Sequence, residues 1–419
     1  MNVRTITVGL PTAELGDLPA LEPRLARFFD ALRAELARHD IATRTCRIMM
    51  APIREEAERR VNPAHAMGLV KAVAQLCERL GIRWFNVPFD LTRHTHSTTL
   101  ESLGELAFEV VRRFPRSFIN LICADAGRIS HQAAARASRL IKSVAGLEAS
   151  GYHNFRVGVG CNVKPNTPFF PFAFSGDELG FSLGLEMPQQ LMKVVNGMPG
   201  APLPQLREAL LETLLPQVER IEAIATRVGA EHAIACHGID VSIAPYPEAG
   251  GSVAQLMELL GVEQYGGHGT LLVTAFLTDL LKELVRRAGL ETVGFNGVML
   301  SLLEDEYMGR RNNQGLYSID ALILYSTVCG CGVDMVPIPG DTFEDEITAL
   351  ILDVSAVSAV LGKPLGVRVL PIPMKHEGEF TAFNMDFLFN TRIKKVRNLG
   401  LAAARMGTQP LELRKRSGR

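Results

Sequence analysis

The chain has 419 residues, 47% of them hydrophobic and 21% charged, with a formal net charge of −1. That balance supports a large buried core and excludes any global electrostatic argument for nucleic acid or a membrane surface as partner. The seven cysteines are scattered and include no C-x-x-C pair, so they read as reduced thiols of a cytoplasmic protein.

No basic n-region followed by an apolar run opens the chain, so no signal peptide is expected. No apolar run reaches about 18 residues without a charge or a helix breaker, so no transmembrane helix is expected either. Strand-like and helix-like patterns then alternate. "RTITVGL" predicts a first strand and "EPRLARFFDALRAELARH" a helix. "TRTCRIMM" is the second strand, followed by the helix "PAHAMGLVKAVAQLCERLG". "RWFNVPF" and "SFINLICA" follow, then the helical "GRISHQAAARASRLIKSVAG". "RVGVGCNV" and "LGFSLGL" precede the long helical run "LREALLETLLPQVERIEAIATRVG". "EHAIACHGIDVSIAP", "TVGFNGVML", "CGVDMVPI" and "GVRVLPI" complete the strands, with "DEITALILDVSAVSAVLG" as the last clear helix. Most strands are apolar almost continuously, as expected of strands buried on both faces.

About ten β/α units without a long Ser/Pro linker predict one large, mainly parallel α/β domain over residues 1–385. Ten units are many for an open twisted sheet, which favours a closed barrel. Residues 386–419 form a C-terminal extension, and its basic stretches "RIKKVRNLG" and "LRKRSGR" are expected to be a solvated, frayed tail.

In parallel α/β folds, ligands sit at the carboxyl ends of strands, so the loops there carry the candidate chemistry. In "QYGGHGTLL", Gly266, Gly267 and Gly269 allow close backbone approach. Thr270 opens a helix whose free amides favour an anion, and His268 would stand over that pocket as proton donor or acceptor. The competing reading is a tight turn whose histidine caps the helix. In "CHGIDVSIAPYPEAGGS", Asp240 and Ser242 share one strand face, and an aspartate in so apolar a strand is costly unless paired or functional. Ser252 opens the next helix.

In "GFNGVMLSLLEDEYMGRRNN", Asn296 lies between Gly294 and Gly297, and Glu304, Asp305 and Glu306 form an acidic cluster that is either a solvated face or functional. In "CGCGVDMVPIPGDT", Asp334 interrupts an apolar strand, Asp341 or Thr342 caps the following helix, and Cys329 and Cys331 read as small core packing. In "GVGCNVKPNTPFFPFAFSGDELG", Asn162, Lys164 and Asn166 lead into an aromatic, proline-rich loop that walls a pocket or forms an oligomer contact. His94 and His96 in "LTRHTHSTTLES" have an alternating, metal-like spacing. They fall in a polar loop before a capping box of Ser97 or Thr98 with Glu101.

Taken together, "VRTITVGL", "ADAGRI", "NVKPNTPFF", "DVSIAP", "GGHGT", "EDEYM" and "GVDMVPIPGDT", in that order from about residue 2 to 375, resemble the DUF711 family, also called UPF0210. The resemblance implies a ten-stranded α/β barrel like that of pyruvate formate-lyase, and a small ACT-domain protein as partner. The chain has neither an adjacent cysteine pair nor an "RVxGY"-type loop near its C-terminus, so glycyl-radical chemistry is not expected.

The expectation is a cytoplasmic, homo-oligomeric enzyme that performs acid–base chemistry of lyase or isomerase type on a small anionic metabolite. Asp240, His268 and Asp334 would be catalytic. Asn162, Ser242, Gly267, Gly269, Thr270, Asn296 and Glu304 would bind substrate. A divalent metal ion on Asp240, Asp334 or Glu304 is compatible with this set but not demanded by it. The alternative is a non-catalytic sensor of an amino acid or other carboxylate.

Overall fold

In the computed structural model, which describes residues 1–55, 61–93, 97–397, 401 and 403–416, the apolar runs become strands. They are β1 (Asn2–Leu10), β2 (Thr43–Met50), β3 (Trp84–Asp90), β4 (Ser117–Asp125), β5 (Arg128–Ile129) and β6 (Val157–Cys161). β7 (Gly180–Glu186), β8 (Ala235–Asp240), β9 (Gly332–Pro339), β10 (Leu365–Ile372) and β11 (Leu411–Glu412) complete the set. Among the described residues these strands make one 11-stranded sheet, with the main order β8-β7-β1-β2-β3-β4-β6-β10-β9. The result is a single mixed α/β domain. No described helix is long and apolar enough to cross a membrane.

The sheet has two parallel halves. β1, β2, β3, β4 and β6 run one way. β7 runs parallel to β8, and β9 to β10. The halves meet antiparallel at β1/β7 and β6/β10. The expected parallel sheet thus holds within each half but not between them. The reason is local: β6 is followed by an irregular segment instead of a crossover helix, so the chain re-enters the sheet running the other way. The carboxyl ends of the two halves consequently point in opposite directions, and the loops singled out in the sequence do not all gather at one end.

The two outer strands approach one another. Residues 292–301 make isolated parallel bridges to β8 (Ile239 with Thr292), to the segment that follows it (Ile243 with Val298) and to β9 (Ser301 with Asp334). Strands lie about 4.8 Å apart, so a nine-strand path can touch one short stretch with both edges only if the sheet curls strongly. The regular ladder itself stops at β8 and β9.

Curling gives the sheet an inner and an outer face, and the two-residue strand period sorts the residues between them. Ile6, Val8, Phe85, Val87, Ile119, Leu121, Leu183, Val367 and Val369 belong to the large apolar core shared with the helices. The alternate positions are Thr7, Asn86, Asn120, Ser182, Gly158 and Gly366. These face the segment 166–176, which crosses the inner side as a buried strap. Thr7 Oγ1 donates to Pro168 O at 3.0 Å, and Asn120 Nδ2 to Phe172 O at 2.8 Å. Asn86 Nδ2 donates to Ala173 O, and Ser182 Oγ donates to Asn166 O at 2.5 Å. A Cβ on Gly158 or Gly366 would fall 2.3 Å from Pro171 or from the Phe172 ring. A loop with this many backbone carbonyls can be buried only if something donates to them, and the inner-face side chains do so. A second, smaller apolar cluster, including Met49, Phe118, Phe155, Phe170, Leu370 and Phe383, fills the rest of this side.

The C-terminal residues do not simply fray. β11 pairs with β5, Leu413 N donates to Gly127 O at 2.9 Å, and Arg416 N donates to Val360 O at 2.8 Å. The cap of the helix Glu344–Leu361 also differs from expectation. Phe343 is the cap residue, and its N–H donates to Glu346 Oε2 at 2.8 Å.

Removing one strap donor leaves a buried carbonyl without its partner. Asn120→Ala should therefore lower unfolding stability by about 1–3 kcal/mol. Gly366→Ala, which drives a methyl into Phe172, should cost about as much. Lys71→Ala, at an exposed position, should stay within about 0.5 kcal/mol of the parent. Urea unfolding of the three variants measures the ranking, and equal midpoints would show that the strap is not held this way.

Candidate functional site

The sequence candidates fall in four separate places. Asp240 is fully buried at the end of β8. Its carboxylate accepts hydrogen bonds from Ser242 N at 2.9 Å, Ser242 Oγ at 2.5 Å, Phe295 N at 2.8 Å and Asn296 N at 3.2 Å. Asn296, at a left-handed φ of 49°, accepts from Val241 N at 3.1 Å and donates to Val293 O at 3.0 Å. A Cβ on Gly294 would lie 2.1 Å from Asp240 Oδ2, which is why glycine stands there. Burial raises the Asp240 pKa, against the four donors that lower it. Asp240, Ser242 and Asn296 thus form a closed clamp that fixes residues 293–297 to β8, with no carboxylate oxygen left unpaired.

Asn162 lies elsewhere, after β6. At φ 53° it donates to Ser358 Oγ at 2.9 Å and accepts from Gly127 N at 3.5 Å.

The glycine collar is a turn on the surface. Gly267, His268 and Gly269 are exposed. Gly266 N donates to Thr270 Oγ1 at 3.0 Å, Gly267 N to Gln264 O at 3.0 Å, and Thr270 N to Gly267 O at 3.2 Å. Of the amides expected to cradle an anion, those of Gly267 and Thr270 are therefore used within the turn. Gly269, at φ 101°, caps the helix Thr270–Ala288. Its glycine answers a left-handed backbone, since a Cβ there would meet nothing.

Asp334 and Glu304 come together on the inner side of the sheet. Arg368, on the neighbouring strand, makes a bidentate pair with Asp334 at 2.7 and 2.8 Å and reaches Glu304 at 3.4 Å. Ser301 Oγ donates to Glu304 Oε2 at 2.7 Å. The acidic cluster has split by direction. Glu304 turns inward, and Glu306 pairs with Arg310 at the surface. Asp305 is fully buried and caps two helices at once. It accepts from Val253 N at 2.7 Å, Ala254 N at 3.1 Å and Met308 N at 3.1 Å, and from Ser252 Oγ at 2.6 Å.

Asp334, Arg368, Glu304 and Ser301 line a cavity of about 70 Å3 together with Arg4, Arg47, Cys331 and the rings of Phe118, Phe155, Phe169, Phe170 and Phe172. That volume holds a few waters or a small organic anion. Arg47 projects from mid-β2. Its Nε donates to Thr45 Oγ1 at 3.1 Å, and its guanidinium lies 5.0 Å from the Phe170 ring centre. Among the described residues no carboxylate makes an ion pair with it. Burial, then the Arg4 charge, pushes its pKa down to about 9, so it remains a cation at neutral pH.

The expected metal ligands are divided. Asp240 does not line this cavity. Among the described residues no three His, Cys, Asp or Glu side chains group around one point. His94 and His96 lie outside the described residues.

Sequence reasoning missed Arg4, Arg47 and Arg368, although the signal was present. "TRTCRIMM" and "GVRVLPI" each carry an arginine inside an apolar strand, the same anomaly that singled out Asp240 and Asp334.

Asp240→Asn keeps the shape but turns an amide NH2 towards N–H donors, so it should cost about 2–3 kcal/mol of stability. Asp305→Asn should behave alike for the same reason. His268→Asn should change stability by less than about 0.5 kcal/mol. Chemical denaturation of the three variants tests this, and a neutral Asp240→Asn would free that carboxylate for another role.

A family model described as "Uncharacterised ACR (DUF711)" matches residues 1–386. Similar proteins include the UPF0210 protein of Pyrobaculum arsenaticum, 27% identical over 403 residues covering 91% of this chain and 87% of the relative. That of Pyrobaculum islandicum is 28% identical, covering 98% and 92% respectively. That of Desulforudis audaxviator is 31% identical, covering 68% and 64%. With its core strands and the cavity all inside the matched region, the chain belongs to the DUF711 (UPF0210) family.

Proposed function

We propose that the protein binds a small anionic metabolite in the inner cavity and acts on it by non-radical acid–base chemistry of lyase or isomerase type. The observation that carries the reading is Arg47: a half-buried cation on the cavity wall, near Arg4 and Arg368, with no carboxylate hydrogen-bonded to it among the described residues and the Glu304 charge acting against those of the other arginines. A partly desolvated cation without a directly paired counter-ion is costly, and a ligand carboxylate or phosphate would relieve that cost. Arg368 is in a different position, because Asp334 already neutralises it.

Glu304 is the cavity carboxylate best suited to move a proton. Asp334 is tied by both oxygens to Arg368, whereas Glu304 is 19% exposed and held mainly by Ser301. An anion on Arg47 would bring a neighbouring carbon within reach of Glu304, an arrangement suited to proton abstraction beside a carbonyl. Ser301 and Arg368 orient the base. A divalent ion remains part of the proposal only through Glu304 and the substrate itself, since the Asp334 oxygens are occupied. The proposal includes closure of the curled sheet into a ten-stave barrel, with residues 292–301 as the tenth stave between β8 and β9.

One observation favours a second reading, a binding protein without turnover. Two of the three residues expected to be catalytic, Asp240 and Asp334, are fully engaged by protein donors. A sensor needs Arg47 but not Glu304.

Calorimetry with a panel of two- to four-carbon carboxylates, amino acids and inorganic phosphate, each with and without Mg2+, separates these cases. We expect saturable binding of at least one carboxylate. Arg47→Met should weaken it by about tenfold or more, and Glu304→Gln should retain binding. If the panel member that binds is also turned over, Glu304→Gln should abolish turnover. Binding that survives Arg47→Met unchanged would refute the assignment, and turnover that survives Glu304→Gln would remove Glu304 from the chemistry.

A further inference from the structure

Next to the inner cavity, at the end where β2 and β3 begin, lies a much larger open cleft of about 600 Å3. Arg33, Arg44, Arg79 and Arg83 line it, against Asp30 as the acidic group of the lining. Arg79 is paired with Glu22, and Arg44 with Glu186 and Glu248. Arg33 and Arg83 have no carboxylate partner among the described residues. The cations that the cleft leaves unpaired are therefore Arg33 and Arg83.

Its inner wall is shared with the cavity. Thr45 lines the cleft and accepts the Nε proton of Arg47, which lines the cavity. Tyr246 lines the cleft, while its neighbours Ala244 and Pro245 line the cavity. The Tyr246 ring packs against two guanidinium groups, Arg4, which lines the cavity, at 4.2 Å and Arg44, which lines the cleft, at 4.1 Å. A ring against two cations is attracted to both, and an incoming anion competes for them with the ring and with Glu186, which pairs with both.

The loop that carries the ring is compact and tied at its tip. Tyr246 N donates to Gly251 O at 2.9 Å, and Gly251 N to Glu248 O at 2.9 Å. The Glu248 carboxylate accepts from Arg44 at 2.8 and 2.9 Å. Gly251 is required there, since a Cβ would fall 2.1 Å from Tyr246 O.

We infer that the arginine-lined cleft is an anion-collecting vestibule and that Tyr246 is the gate between it and the inner cavity. Anions gather in the cleft by long-range attraction. One that reaches Arg4 or Arg44 displaces the ring, the Glu248–Arg44 tie that holds the loop in place gives way, and the anion passes to Arg47. Small carboxylates or phosphates are the class admitted, and uncharged molecules of equal size gain nothing from the vestibule. The inference rests on the proposed anion site only for the identity of the ligand, because passage through the gate can be read without any metabolite.

Cys331 supplies that reading, since its thiol lines the cavity and is 2% exposed, while Cys46 lines the cleft. The full-length protein is treated at one fixed alkaline pH with a sulfonate-bearing methanethiosulfonate or its uncharged methyl analogue. Peptide mass mapping then follows each cysteine. Tyr246→Ala should speed Cys331 modification by both reagents about tenfold or more, with Cys46 little changed. The double variant Arg33→Glu with Arg83→Glu should slow the anionic reagent at Cys331 by about tenfold and leave the uncharged one unaffected. Cys123, buried in the outer-face core, reports on the fold. If Tyr246→Ala exposes Cys123 as well, Glu248→Gln takes its place, because it loosens the tie to Arg44 and keeps the ring. It should speed Cys331 modification several-fold.

Cys331 rates unchanged in the variant that keeps Cys123 protected would overturn the gate. Equal slowing of both reagents by the arginine reversals would overturn the vestibule. Failure of every metabolite to bind by calorimetry, with these labelling results intact, would instead count against the proposed function alone.

Discussion

Everything on the inner side of the sheet depends on one constraint: the segment 166–176 is buried there, and its carbonyls need donors. Asn86, Asn120, Thr7 and Ser182 provide them from four different strands. Gly158 and Gly366 make room for Pro171 and Phe172 on two more. The strap is held across the curl of the sheet, so the curvature and the filling support one another. By occupying most of the inner space it also leaves a small remnant, and that remnant is the cavity. A cavity of only about 70 Å3 inside so large a sheet is a consequence of the strap.

The charges around the remnant are arranged unequally. Asp334 and Arg368 form a buried bidentate pair, the geometry that offsets desolvation best. Asp240 and Asp305 use the same principle with backbone amides instead of a cation, each fastening distant segments through four donors. Arg47 is the exception, kept among rings and other arginines with a single hydrogen-bond partner, the Thr45 hydroxyl, among the described residues. The buried carboxylates of Asp240, Asp305 and Asp334 are therefore each satisfied within the fold, and Arg47 is the cavity arginine that pairs with no carboxylate among the described residues. The prior that a buried aspartate is paired or functional was sound, with the balance falling on the first alternative for Asp240 and Asp305.

Much of the fold was legible. The strand runs for β2, β3, β4, β6, β7, β9 and β10 fall within a residue or two of the observed strands, because apolar runs bounded by turn residues carry a strong local signal; the run 231–245 overshoots β8 at both ends, and the short β5 was read as part of a helix. "TVGFNGVML" is the partial case, making isolated bridges at residues 292, 298 and 301 in place of a continuous strand. Its two inner glycines and Asn296 serve the Asp240 clamp, which bends the backbone away from regular pairing. The antiparallel meeting of the halves was not legible, since strand direction depends on where a chain re-enters a sheet. The polar inner face was hidden too, because Thr, Ser, Gly and Asn break an apolar run only weakly. Of the candidate site, Asp334 and Glu304 were found and reached the cavity. His268 lies exposed on a turn and does not line the cavity; a glycine-flanked helix start looks the same in sequence whether the amides face a ligand or close their own turn. The arginines were overlooked because buried charge was sought only among acids.

The central claim is that Arg47 waits for an anion. Bromide, soaked into crystals and located by its anomalous scattering, tests it without any choice of metabolite. The account predicts a bromide site inside the cavity beside Arg47, lost in Arg47→Met crystals and retained in His268→Asn crystals. Bromide confined to the surface arginines or to the turn around His268, with the cavity holding only water, would contradict it.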